Sequence, residues 1–133
     1  MMRKAAIAFL IGVVSLALSG CAVLLIGVAA GGVGMYAASN DAIQGEADKS
    51  YEAIWDAALK VSKIRGTISK QDSASGVIEL NTDSGKVWIK VTRVTRATTR
   101  LRVAARKFKL PNQTFAQDMF LKIIDQTNAG SSN

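Results

Sequence analysis

The only cysteine of the 133-residue chain, Cys21, directly follows Leu18, Ser19 and Gly20, at the end of an uncharged apolar run that begins at Ala5. It is the one thiol in the protein, and a thiolate is the form in which sulfur acts as a nucleophile. Arg3 and Lys4, the apolar run and the small pair Ser19-Gly20 have the charged, hydrophobic, small order of a secretory leader. Such a leader is cut at a small-x-small site and requires no cysteine after the cut. Two readings of Cys21 follow. Either the leader is cleaved behind Gly20 and the thiol is modified, or Cys21 is a small apolar residue inside a membrane helix, where free Cys behaves as a hydrophobe.

The residues behind the cysteine keep both readings open. Ala22 to Ala38 is also uncharged, so no charge occurs between Lys4 and Asp41. A single membrane helix needs only about 20 residues. Either the leader is removed and Ala22–Ala38 is a second apolar segment, or the two segments form a membrane hairpin. As a helix the second segment would be about 25 Å long at 1.5 Å per residue, short for a span. Its Gly27-x-x-x-Gly31 spacing would let two helices approach closely in lipid.

Leu18, Ser19, Gly20 and Cys21 resemble the lipobox of bacterial lipoprotein precursors, which has Leu three places before the cysteine and small residues between. The resemblance implies cleavage after Gly20, a thioether from Cys21 to diacylglycerol, and a new amino terminus available for acylation by a fatty acid such as palmitate. Ala22 stands where an Asp commonly retains lipoproteins at the inner membrane. This implies the inner leaflet of the outer membrane, facing the periplasm. On this reading residues 1–20 are a signal peptide, 21–45 a lipidated Gly-rich tether and linker, 46–127 one small domain and 128–133 a polar tail. Loss of Arg3 and Lys4 with the leader leaves fifteen basic residues against ten acids, net +5, and no cysteine for a disulfide. The domain is then held together by its core alone.

The elements of that domain follow from periodicity. Tyr51, Ile54, Trp55, Ala58, Leu59 and Val61 have helical spacing, with Ser50 as N-cap, basic residues at the C-terminal end and Gly66 as a left-handed C-cap, so a helix is expected over 51–65. Short β-rich runs separated by turns come next: 67–71, 77–82 with Ile78 and Leu80 on one face, 86–94 with Val87, Ile89 and Val91 inward, and 98–108 with Leu101, Val103 and Ala105 inward. Pro111 ends the sheet, since proline cannot donate to a ladder. Phe115, Met119, Phe120, Ile123, Ile124 and Thr127 predict a second helix, with Thr114 and Gln117 in the form of a capping box. The expected fold is α+β: a two-layer domain with an antiparallel meander of about four strands, two helices on one face, and an apolar N-terminal helix or leader before it.

Several of these features together resemble a family of short bacterial lipoproteins whose domain has no known function. They are the Gly-rich run after the cysteine, Tyr51-x-x-x-Trp55-x-x-x-Leu59, Ser75-Gly76-x-Ile78 and Thr99-x-Leu101-x-Val103, within Cys21 to about Ile124. The resemblance implies the fold and an envelope location, and it supplies no catalytic residues.

Nothing in the sequence points to an enzyme. There is no histidine, the commonest general base and metal ligand. The acids are scattered, and no phosphate-binding glycine loop or nucleophile motif is present. No cofactor or metal site is expected. The most informative polar stretch is Lys86 to Lys109, which holds nine Lys and Arg residues and no acid. Alternation places Lys90 beside Trp88 on one strand and Arg100, Arg102 and Arg106 together on the next, facing away from the helices. Such a face is either a solvated outer surface, with Trp88 covering the stems of its basic neighbours, or a recognition surface for phosphate and carboxylate groups. Export argues against nucleic acid as the partner. The expectation is a non-enzymatic, membrane-anchored envelope lipoprotein, bound to lipid through acylated Cys21 and possessing a basic face suited to an anionic envelope component or protein. The alternative is a membrane-embedded protein that assembles through glycine-mediated helix contacts.

Overall fold

The structure, a computed structural model, describes residues 2–17, 25–29 and 33–130. A first helix, α1, spans Met2–Ala17. Three strands follow, β1 (Leu25–Ala29), β2 (Val33–Ser39) and β3 (Ala42–Ala47), and then helix α2 (Tyr51–Arg65). Strands β4 (Thr67–Asp72), β5 (Val77–Thr82), β6 (Gly85–Arg93) and β7 (Thr99–Lys107) come next, then the two-residue β8 (Leu110–Pro111) and helix α3 (Gln113–Gly130). The strands form one antiparallel sheet in the order β1-β2-β3-β7-β6-β5-β4, with β8 paired to β7.

The sheet therefore has more strands than the four expected. The additional ones come from the uncharged run and the stretch read as a linker. Residues 25–29 and 33–39 are strands, so Gly27 lies in β1 and the helical face that a Gly27-x-x-x-Gly31 contact needs is not formed there; Gly31 lies outside the described residues. Glycine costs a helix interior about 1 kcal/mol relative to alanine, whereas here Gly34 and Gly45 sit within paired strands. Among the described residues no helix is long and apolar enough to cross a membrane. Residues 42–47 pair along their whole length with β7, from Ala42↔Ala104 to Ala47↔Thr99. β3 is thus an interior strand, and its alternation is visible once the pairing is known: Ile43, Gly45 and Ala47 are buried between Gln44 and Glu46.

The sheet pairs bring the expected apolar faces together. Ile78, Ile89 and Val103 lie in one row across β5, β6 and β7, and Leu80, Val87 and Ala105 in another. All are fully or almost fully buried and share one core with Ile54, Trp55, Ala58 and Val61 of α2 and Met119, Phe120, Ile123 and Ile124 of α3. Both helices pack on this face and against each other.

Three local expectations are corrected. Ser50 does cap α2, accepting from the Ala53 amide at 3.2 Å, but Gly66 has φ −174° and is extended rather than left-handed. Its small size matters for another reason, because a Cβ there would collide with the Asn81 carbonyl oxygen on β5. The cap of α3 is Asn112, whose Oδ1 accepts from the Phe115 amide at 3.3 Å, so Thr114 lies inside the first turn and forms no capping box. The helix also continues through Asn128 to Gly130, where a polar tail was expected.

Candidate functional site

Strands β6 and β7 present the five predicted site residues on the face away from α2 and α3. The register sets Lys90 opposite Arg102, Trp88 opposite Ala104, Lys86 opposite Arg106 and Thr92 opposite Arg100. The expected juxtaposition is therefore present, and it is a consequence of matching the buried faces of the two strands, since a one-residue slip would turn every side chain over. What the run from Lys86 to Lys109 could not reveal is the charge on the flanking strands.

Those strands bring acids. Glu46 of β3 stands opposite Arg100 and accepts hydrogen bonds from its Nε at 3.1 Å and Nη2 at 2.6 Å. This bond to Glu46 raises the Arg100 pKa above its ordinary value. Asp41, in the turn before β3, accepts from Arg106 Nε at 2.5 Å and from Ser39 Oγ at 2.6 Å. The Ser39 hydroxyl first, and then Arg106, hold the Asp41 carboxyl below the usual carboxylate range. Glu79 of β5 lies 3.5 Å from Lys86 Nζ, and Lys86 Nζ sits 5.2 Å from the centre of the Trp88 ring. Two of the four predicted cations, Arg100 and Arg106, are thus neutralised in place. Lys90 donates to the Ser75 carbonyl at 2.6 Å. Half-buried Arg102 has Lys90 and Gln44 as cross-strand neighbours, and among the described residues it has no carboxylate partner. Of the four predicted cations, Lys90 and Arg102 are therefore the two with no carboxylate partner among the described residues, Lys90 being held by the Ser75 carbonyl.

Sequence reasoning missed a second feature at the end of the same strands. β7 and β8 form a hairpin, Lys107↔Leu110, whose two turn residues are Phe108 at φ 52° and Lys109 at φ 65°. Two successive positive φ values are those of a type I′ turn, a position that favours Asn-Gly. A bulky residue there is an outlier, yet Phe108 is 88% exposed and packs into no core. Around it, Lys86, Trp88, Arg106, Lys107 and Lys109 line a hollow of about 460 Å³ with Thr82, Asp83 and Gly85. The only signal in the sequence is the string Lys-Phe-Lys-Leu itself, which no periodicity rule marks as a turn.

Cys21 and Gly20 lie outside the described residues. Residues 22–24 alone separate Cys21 from Leu25, the first residue of β1. Among the described residues no group of three or more Cys, Asp or Glu side chains is placed to hold a metal ion.

The fold defines this chain as an α+β protein in which an N-terminal helix precedes an antiparallel sheet covered on one face by two helices. The model of the DUF3568 family, a protein family of unknown function, matches residues 4–109, and the chain belongs to that family. The match takes in most of α1 and every strand from β1 to β7, and it stops before β8 and α3. A comparison with curated proteins finds no match.

Proposed function

We propose that this chain is a non-enzymatic lipoprotein of the bacterial cell envelope, tethered through acylated Cys21 after removal of residues 1–20 and acting as a binding or structural module that faces the periplasm. The observation that carries the reading is the Leu18-Ser19-Gly20-Cys21 sequence at the junction between an apolar leader and the folded domain. Ala22 favours the inner leaflet of the outer membrane. The chain contains no histidine, the commonest general base, which supports the non-enzymatic reading. The Lys90–Arg102 pair is the part of the basic sheet face suited to a phosphate or carboxylate of an envelope component.

With the leader removed, the tether is short. Three residues between Cys21 and β1 hold the sheet within about 14 Å of the lipidated residue, at 3.3–3.6 Å per residue. Two or more acyl chains are enough for stable anchoring without a spanning helix. Intact-mass measurement of the membrane-extracted protein tests the reading. The expected product lacks residues 1–20 and carries added acyl mass; a full-length, unacylated chain would overturn it.

A further inference from the structure

Outside α1, four large apolar side chains among the described residues are conspicuously exposed: Ile64, Val94, Phe108 and Leu110. The sheet register locates three of them at one end of the domain. Asn81, Lys86 and Arg106 form one row across β5, β6 and β7, and Thr67, which follows the end of α2, pairs with Asn81. Ile64, 79% exposed near the C-terminus of α2, is therefore at the same end as Phe108 and Leu110, which are 88% and 68% exposed. Only Val94, less exposed, lies at the other end, in the turn between β6 and β7.

The charges at this end are unequal. Asp41 and Asp118 are held by Arg106 and Arg65, leaving Asp83 beside the Phe108 turn and Asp125, together with Lys122, beside Ile64. Lys63, Lys107 and Lys109 flank the exposed apolar residues in sequence. Chain direction adds an independent observation. β1 is antiparallel to β2, with Leu25↔Tyr36 and Ala29↔Val33, and β2 runs toward the Asn40-Asp41 turn beside Arg106. The chain therefore enters the sheet from the end that carries the Phe108 turn.

We propose that this end docks on a bilayer bearing anionic headgroups, with Phe108 and Leu110 entering the boundary between headgroups and acyl chains and Lys107 and Lys109 meeting the phosphates. An aromatic ring prefers that depth, and lysine stems reach along apolar surface while the ammonium stays at the polar layer. Juxtamembrane lysines are attracted by the negative surface potential. The three apolar residues stand singly on different elements with lysines between them, which fits a flat interface better than a protein groove. The left-handed turn has a role here, because it holds Phe108 outward where an Asn-Gly turn would present nothing apolar. The inference rests on the membrane attachment proposed above.

The test reconstitutes the protein as extracted from its membrane, with residues 1–20 removed and Cys21 acylated, into vesicles of phosphatidylethanolamine and phosphatidylglycerol, with and without bromine on the upper acyl carbons. Phe108→Trp is compared with Val94→Trp and with the parent protein, whose Trp55 and Trp88 give the background. Brominated lipid should lower the added fluorescence of Phe108→Trp about twofold, as for an indole at the interface, and leave that of Val94→Trp unchanged. Adding Lys107→Glu and Lys109→Glu to Phe108→Trp should remove the quenching. If the protein floats with the vesicles but Phe108→Trp is unquenched, or both variants are quenched alike, the docking surface is overturned while attachment stands. An unquenched Phe108→Trp that becomes protected on self-association would assign the turn to a second copy of the chain instead. A protein that does not float overturns both.

Discussion

Glu46 of β3 holds Arg100 of β7 through two hydrogen bonds, at 3.1 Å from Nε and 2.6 Å from Nη2. The two residues are 54 positions apart in the chain, and their pairing turns what the sequence presents as unopposed positive charge into a surface of mixed sign. Because the pair is solvent-exposed it contributes little to stability; such pairs are typically worth up to about 1 kcal/mol. Its consequence concerns binding. It removes Arg100 from the set of cations available to a ligand.

Charge reversal should therefore separate the cations of the face. Lys90→Glu with Arg102→Glu should weaken binding to a soluble polyanion such as heparin about tenfold or more, since two cations of the cluster become repulsive. Arg100→Glu should weaken it less, with both proteins retaining their thermal unfolding midpoint within a few degrees. Titration calorimetry on the detergent-solubilised full chain reads the difference. Equal losses would show that the ion pair does not withhold Arg100.

Gly45 tests whether residues 42–47 belong to the sheet in solution. A Cβ at this position would meet the Gly34 carbonyl oxygen across the β2–β3 pair and stand 2.8 Å from Phe120 Cζ of α3. Gly45→Ala is thus expected to destabilise the domain by about 1–3 kcal/mol, the usual cost of overpacking a core. Gly34→Ala is its control, because a Cβ there meets nothing within 4 Å. Urea unfolding that leaves the two variants alike would contradict the placement of β3.

The acid response should be traceable to Asp41. Its pKa is lowered in the folded protein by Ser39 and Arg106, so the folded state favours the ionised form more than the unfolded chain does. That contribution is complete above the unfolded carboxylate value of about 3.9 and is lost as pH falls through the lower folded value. Asp41→Asn should accordingly be less stable than the parent at pH 6, with the gap narrowing as pH falls below about 4. Thermal unfolding at pH 6 and pH 3 measures it, and a gap independent of pH would exclude Asp41 as the titrating group.

The parts of the fold legible in the sequence were those whose burial pattern is complete within one element. Tyr51–Arg65 has a full apolar stripe and a Ser50 cap, and the inward residues of β5, β6 and β7 alternate without interruption. β1 to β3 were not legible, because the two adjacent segments lack charge or are broken by glycine and their order comes from partners: Gly45 holds an inward position without a side chain because a Cβ there would meet the Gly34 carbonyl and Phe120. The candidate face was half legible for the same reason. Lys90, Arg100, Arg102 and Arg106 are brought together by a register that the alternation implies, whereas Asp41 and Glu46 arrive from a segment whose pairing with β7 leaves no local mark. The exposed Phe108 was invisible, since nothing in its neighbours distinguishes a left-handed turn from a continuing strand.

The interior position of β3 also sets an order of events during synthesis. Ile43 pairs with Val103, sixty residues further along the chain, and contacts of such long range form late because the loop between them must first be closed. Until β7 has emerged, β3 has an open edge and α2 lacks the central strand that joins the two halves of the sheet. A chain still being made thus has α1 and three early strands but no closed domain. The architecture therefore delays its own completion until β7 and α3 have both been made.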